Sequence, residues 1–232
     1  MVGSSADGAR TPLAIIERII SMTTASSDDA DFRNRVQGIS LMCFAGICFI
    51  GMDTTVKYLT QTYPVTQVMW ARFAFHALWM LVLFGPRYRT TLLRTNRFGL
   101  QMARSLLMFC ATAFMFTALK YIPLAEATAI GFANPIIVTV LSVPILAEKV
   151  GGRRWVAVVI GFLGVLMVLR PGLGIMHWAA FLPLGMATCY AMYQILTRML
   201  AGTDSAVTSL FYTALVGTCI TSFGAPFNWT PP

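Results

Sequence analysis

Charged residues are scarce in this sequence. They make up 11% of its 232 residues, whereas a soluble domain usually carries about a quarter. Hydrophobic residues make up 57%, and the mean hydropathy is +0.70. Long apolar runs with so few charges exclude an ordinary soluble domain and indicate an integral membrane protein. The net charge of +8 does not indicate nucleic-acid binding, because the bases lie between hydrophobic runs rather than on one amphipathic face.

The sequence also lacks the motifs of catalytic and metal-dependent chemistry. It contains no HExxH, no GxSxG, no P-loop and no pair of aspartates within the apolar runs, so neither a membrane enzyme nor an ATP-driven pump is favoured. The five cysteines all lie in apolar runs, without CxxC or metal-ligand spacing, and are interpreted as small buried hydrophobes. We therefore expect no enzymatic activity, no cofactor and no metal.

Seven hydrophobic segments are present, and most reach the roughly 20 residues that a membrane-spanning helix needs. They cover residues 36–59, 65–84, 100–119, 124–146, 154–170, 178–200 and 205–224. Helices are predicted because each helix satisfies its own backbone hydrogen bonds in lipid, whereas an open sheet does not. The predicted fold is an all-α integral membrane protein.

The bases predict the orientation. Eleven bases fall at one set of helix ends and three at the other. The first set is Arg33, Arg35, Arg87, Arg89, Arg94, Arg97, Arg104, Lys149, Arg153, Arg154 and Arg198, and the second is Lys57, Lys120 and Arg170. The positive-inside rule then predicts a cytoplasmic N-terminus. Residues 1–34 are expected to form a cytoplasmic, mostly disordered tail, and seven crossings would leave Pro232 outside.

An internal repeat is suggested by an offset of 141 residues. It aligns Cys189 with Cys48, and Gln194 with Asp53. Because five helices separate the matched segments, the second unit would have inverted topology, as in many secondary transporters. We predict a first five-helix repeat over 35–171 and an incomplete second repeat, with two helices, over 172–232. A complete second repeat would need three more helices, so we expect a truncated product or a fragment.

A family resemblance rests mainly on residues 124–172. The patterns AxxxGFANPIIVTVLSVPILAEK and GxRRWVAVVIGFLGVLMVLRPG, with GMDTTVKYL and YPVTQVMWARF earlier in the chain, resemble an EamA-type repeat of the drug/metabolite transporter superfamily. The similarity is greatest to members proposed to take up riboflavin or S-adenosylmethionine. The resemblance implies ten helices in two inverted five-helix repeats, both termini inside, and a central cavity between the halves.

Three ionisable residues within the apolar runs are candidate substrate-binding groups. A charge in a membrane helix costs roughly 2.5–3.5 kcal/mol on insertion scales, so it needs a reason. Asp53 and Arg72 each lie about 9–10 Å from the predicted outer end of their helix, which makes a pair feasible. Arg72 suits a carboxylate or phosphate, and His76 or Asp53 could carry a proton. The alternative is that these residues are packing pairs that fix helix register.

Asn134 and Pro135 lie near the middle of the fourth segment. Proline leaves a backbone carbonyl without its donor, which predicts a kink at a cavity or at a packing contact. Asn134 adds an amide at the same depth and is a candidate substrate-binding residue. Gly131 precedes Pro135 by one turn and is expected to allow close helix packing.

Polar residues of the later segments complete the candidate set. Tyr193 and Gln194, near Tyr190, could contact a ring-bearing substrate, although ordinary packing is an equal alternative. Glu148 follows the fourth segment beside several bases and is interpreted as a structural or gating contact.

These observations favour a secondary transporter that moves a small polar or aromatic metabolite, of the cofactor-like kind, by alternating access. Its expected partners are that small molecule and the lipid bilayer, with no nucleic acid. Three alternatives stay open: an inactive truncated fragment, a half-carrier that needs a homo-oligomer or a partner chain, and, less favoured, a metabolite or drug exporter.

Overall fold

The computed structural model describes residues 10–88, 94–146, 151–169, 178–224 and 229, and all regular structure in them is helical. The helices are α1 (Arg10–Thr62), α2 (Val65–Tyr88), α3 (Phe98–Tyr121), α4 (Leu124–Gly131), α5 (Asn134–Leu146), α6 (Gly152–Leu169), a 3₁₀ turn (Trp178–Ala180), α7 (Phe181–Leu200) and α8 (Ala206–Gly224). Six stretches among the described residues are long and apolar enough to cross a membrane, and α6 contains a shorter one, Trp155–Gly164. The prediction of an all-α membrane protein is confirmed.

The first helix is longer than its apolar segment, because α1 begins at Arg10 and includes residues that the sequence assigned to the tail. By its contacts the chain divides into two compact units, Met1–Met52 and Asp53–Pro232. In the first unit, residues 35–51 are exposed and include many large apolar side chains, a surface suited to lipid. The predicted repeat boundaries at 34/35 and 171/172 stay predictions.

In the second unit, α3 is the central helix. It packs against α7 and α8, while α8 also packs against α2, and α7 contacts α4 and α5. The main core cluster includes Phe73 of α2, together with Phe116 and Leu119 of α3. Helices from the predicted second repeat therefore pack directly on helices from the first.

Small residues allow some of these helices to approach closely. A Cβ at Gly131 would lie 2.9 Å from Cε of Met186 on α7, and one at Gly161 would lie 2.8 Å from Cδ1 of Ile136 on α5. Both distances are shorter than a normal carbon contact, so a larger residue at either position would require the end of the neighbouring side chain to move.

The fourth apolar segment is two helices rather than one. α4 ends at Gly131 and α5 begins at Asn134. The amide of Ala133 bonds the carbonyl of Ile130, one residue nearer than in an α-helix. Pro135 has no N–H with which to continue the helical pattern. The interruption places Asn134 in the first turn of α5.

Candidate functional site

The outer cluster, named for the membrane side that the distribution of bases predicts, is formed by Asp53 of α1, Arg72 and His76 of α2, and Thr112 of α3. Arg72 Nη1 donates a hydrogen bond of 2.9 Å to Thr112 Oγ1. Asp53 and His76 both lie within electrostatic range of Arg72, and all three are half-buried. The structure thus brings together the three ionisable residues that the sequence singled out, although it leaves their role in binding a prediction.

Aromatic rings surround the guanidinium of Arg72. Its Cζ lies 5.6 Å from the ring centroid of Phe73 and 5.3 Å from that of Phe116. Such contacts are attractive and leave the donor edge of the guanidinium available. The outer cluster can therefore offer a planar hydrogen-bonding fork to an anionic group, with a carboxylate beside it to receive a cationic one.

Lys57 has a different role from its neighbours. Its ammonium donates to the carbonyl oxygens of Leu119 at 2.6 Å and Ile122 at 2.8 Å. These carbonyls belong to the last turn of α3 and the residue that caps it, where helical acceptors lack intrahelical donors. Capping α3 explains a lysine at this depth better than a pair with Asp53.

An inner cluster surrounds Arg104 of α3, at the end predicted to face the cytoplasm. Arg104 Nε donates to Thr197 Oγ1 at 2.7 Å, and Nη1 donates to the Ser209 carbonyl at 2.9 Å and to Thr213 Oγ1 at 3.1 Å. Nη2 donates to the Tyr193 hydroxyl at 2.7 Å, and Cζ lies 4.5 Å from the Tyr193 ring centroid. One guanidinium thus joins α3 to both α7 and α8.

The predicted residues of α7 belong to this inner cluster or lie beside it. Tyr193 contacts Arg104 rather than Arg72, and its ring stacks on Tyr190 with centroids 5.5 Å apart. Gln194 is half-buried on the same helix, but it is not one of the described residues that bond Arg104. The set predicted from the sequence is therefore divided between two places.

The loop before α3 and the turn after α7 are joined by Asp204. Its carboxylate accepts hydrogen bonds from the Thr95 hydroxyl, from the Asn96 backbone N–H at 3.0 Å and from Gln101 Nε2 at 3.0 Å. Partial burial alone would raise the pKa of Asp204. The hydrogen bonds, with the charge of Arg97, outweigh burial and lower this pKa below its ordinary value. The carboxylate is therefore ionised at neutral pH, close to the N-terminus of α3.

Asn134 carries one of the unsatisfied polar atoms. Its Oδ1 is buried and has no hydrogen-bond donor among the residues that the structure describes. Pro135 is exposed, Gly131 is half-buried against α7, and Glu148 lies outside the described residues. An unpartnered amide oxygen at a helix break can accept a bond from a substrate or a water molecule.

Arg104, Gln101 and Asp204 were not predicted from the sequence, where Arg104 was counted among the bases at the helix ends. A signal was available, since Gln101, Arg104 and Ser105 recur at helical spacing and share one face of α3. That face is completely buried: Gln101 and Ser105 are 0% exposed, and Arg104 is 3% exposed.

Comparison with known proteins agrees with this architecture. Residues 36–170 match the EamA-like transporter family. The chain is 29% identical to the riboflavin transporter of Vibrio cholerae over 200 residues, which are 85% of this chain and 67% of that protein. It is 30% identical to the S-adenosylmethionine uptake transporter of Rickettsia prowazekii over 185 residues, which are 78% of this chain and 61% of that protein.

A second riboflavin transporter, from Rhizobium johnstonii, is 26% identical over 171 residues, 73% of this chain and 56% of that protein. The chain therefore spans between 56% and 67% of the length of these relatives. All three are named as transporters, not as enzymes. No solved structure matches the chain significantly.

Proposed function

Because the chain belongs to the EamA-like transporter family, within the drug/metabolite transporter superfamily, we propose that it is a secondary transporter of a small polar or aromatic metabolite. It acts in the bacterial inner membrane by alternating access, with its N-terminus in the cytoplasm. The single observation that carries the proposal is the outer cluster, an Asp–Arg–His set within membrane helices that are otherwise apolar.

Arg72 is proposed as the principal substrate ligand. Within the part of the chain that the structure describes, its guanidinium makes one hydrogen bond, to a neutral hydroxyl, and lies against two aromatic rings. Donors therefore stay available for a carboxylate or phosphate. Asp53 would receive a positively charged group of the substrate, or a proton, and His76 would act beside it. Asn134, Tyr193 and Gln194 are proposed to contact the remainder of the substrate.

The substrate class is supported by the relatives and by the chemistry of the clusters. The named relatives transport riboflavin or S-adenosylmethionine, and both molecules combine a conjugated ring system with polar groups. The stacked Tyr190–Tyr193 pair and the phenylalanines around Arg72 offer matching surfaces for a ring.

The test is transport into proteoliposomes that contain the purified chain. Labelled riboflavin and labelled S-adenosylmethionine are each supplied with and without a pH gradient. We expect accumulation of one of them, and we expect Arg72→Ala to reduce it to the level of empty liposomes. The matched control is Arg94→Ala, because Arg94 is exposed in the loop before α3. This variant should transport normally.

Two results would oppose the assignment of Arg72. Normal uptake by Arg72→Ala would exclude it as a ligand. Loss of the protein itself, with recovery in Arg72→Ala combined with Asp53→Asn, would instead indicate a structural pair whose unmatched charge destabilises the helices.

A further inference from the structure

Arg104 is a buried cation whose hydrogen-bond acceptors are all uncharged. Its side chain is 3% exposed and lies about 9 Å along α3 from Phe98. Its four hydrogen bonds go to two threonine hydroxyls, one phenol and one backbone carbonyl, and none of its partners among the described residues is a carboxylate. A buried charge without a counter-ion is costly, and such residues in membrane helices commonly mark substrate pathways.

The carboxylate of Asp204 is linked to the Arg104 cluster through Gln101, but it already accepts hydrogen bonds from other groups. Gln101 Nε2 donates to Asp204 Oδ2 at 3.0 Å and to Ser209 Oγ at 2.9 Å, so it connects the Asp204 carboxylate to the Ser209 hydroxyl. Asp204 also accepts from Thr95 and from the Asn96 backbone. Its charge is thus directed at the N-terminus of α3 and at the turn between α7 and α8, rather than at Arg104.

Unfilled hydrogen-bonding capacity lies beside this cation. The oxygen atoms Gln101 Oε1 and Ser105 Oγ are buried and have no hydrogen-bond partner within the described part of the chain. Both residues are 0% exposed and lie on the same face of α3 as Arg104. A guanidinium also has more N–H donors than the four contacts of Arg104 use. One face of α3 therefore carries an N–H donor, a hydroxyl and an amide oxygen that have no partner among the described residues.

We propose that Arg104 is a second anion-binding residue, which takes the carboxylate or phosphate group of the substrate at the inner end of the bundle. The inference rests on the proposed transport function. The anion replaces neutral oxygens around the guanidinium, and the exchange is favourable because an anionic acceptor supplies the counter-charge that the buried cation lacks. The Ser105 hydroxyl donates to the same anion, while Gln101 Oε1 accepts from an N–H or O–H of the substrate.

The two arginines would then act in sequence. Thr112, which bonds Arg72, lies eight residues after Arg104 on α3, a rise of about 12 Å. An anionic group that leaves Arg72 therefore meets a second guanidinium at a deeper level. Because the bonds of Arg104 join α3 to α7 and α8, binding an anion there also weakens the attachment of α3 to these two helices.

A binding measurement tests this proposal without transport. The purified chain carrying Arg72→Gln, which removes the outer guanidinium, is titrated with inorganic phosphate and with succinate at constant ionic strength, and its thermal unfolding is followed. We expect both anions to raise the unfolding temperature with saturation. Adding Arg104→Gln should weaken the apparent affinity by about tenfold or more, the effect of losing one charge-assisted hydrogen bond. Adding Arg94→Gln should leave it unchanged.

A second variant covers the case in which Arg104→Gln does not fold. Ser105→Ala keeps every hydrogen bond that Arg104 makes in the structure, and it should still weaken anion binding several-fold. Equal affinity in Ser105→Ala, or no saturable response of the Arg72→Gln protein to either anion, would overturn the proposal. Failure of the proposed function is a separate result, since wild-type proteoliposomes would then transport neither labelled metabolite while anion binding could still be measured.

Discussion

Three buried or half-buried cations of the second unit differ in what they contact. Lys57 is a point charge that reaches two carbonyls at the end of α3. Arg72 lies against aromatic rings with one bond to a hydroxyl, whereas Arg104 spreads four bonds over two helices. The guanidinium has five N–H donors and can make the four bonds of Arg104, whereas an ammonium has only three. The residue type therefore indicates the kind of contact, while only the fold identifies the partner.

Asp204 should make the stability of the protein depend on acid pH. Because its folded pKa is lowered, its contribution is present above the unfolded pKa, near 3.8, and is lost as pH falls through the folded pKa. Asp204→Asn should lower the unfolding temperature by a few degrees at pH 7. The gap between variant and wild type should narrow below about pH 4. Thermal unfolding of both proteins in detergent, from pH 7 to pH 3, measures this difference in unfolding temperature.

Glu126→Gln is the control for Asp204, since Glu126 lies in the first turn of α4, away from the Asp204 network. That change should alter the unfolding temperature little at pH 7. A constant gap between Asp204→Asn and wild type from pH 7 to pH 3 would show that the ionised carboxylate is not the stabilising group.

At the scale of the helix pair, any larger residue at Gly217 is predicted to destabilise the packing of α2 against α8. A Cβ there would lie well inside van der Waals contact of the Phe73 ring, which is buried in the main core cluster. Gly217→Ala should therefore force α2 and α8 apart and destabilise the protein by about 1–3 kcal/mol. Gly164→Ala is the control, because a Cβ at Gly164 meets no atom within 4 Å. Equal unfolding temperatures for the two variants would contradict the close approach of α2 and α8.

The interrupted helix offers a test that separates binding from packing. Asn134 Oδ1 has no donor within the described residues, so Asn134→Leu should leave stability unchanged or raise it by about 1 kcal/mol. If the amide contacts the substrate, transport should nevertheless fall. A loss of stability, with transport reduced in proportion to folded protein, would assign Asn134 to packing alone. Unfolding temperature and transport per folded molecule are the two measurements.

The helices themselves could be predicted, because their length and apolar content follow from the thickness of the bilayer. The ends of α2, α3, α7 and α8 fall within a few residues of the predicted segments. The helix break before Asn134 was expected only as a kink, since a sequence shows the missing N–H of Pro135 but not whether neighbouring helices hold the segment straight. Arg104 was misassigned because a base near a helix end looks the same whether it faces water or protein.

For the whole molecule, the packing of late helices on early ones could not be predicted. The offset of 141 residues suggested two related halves, but it did not indicate that α8 would lie against α2 and α3. That contact depends on shape and on single pairs, such as the bond of 3.0 Å between Trp70 Nε1 and Ser222 Oγ. Pairs so distant in sequence leave no local periodicity from which to predict them.

The predicted orientation concerns the molecule as a whole. The structure changes the number of bases on which that prediction depends. Arg104 is buried, so it is removed from the count of bases at the predicted cytoplasmic ends. Ten bases then remain at these ends against three at the opposite ends, which is still a clear bias. In a background without native cysteines, Arg94→Cys and Lys120→Cys place exposed thiols near the two ends of α3. An impermeant maleimide added to intact cells should label Lys120→Cys alone, and Arg94→Cys should react only after the membrane is opened. The reverse pattern would place the N-terminus outside, and labelling of both positions in intact cells would mean that α3 does not cross the membrane.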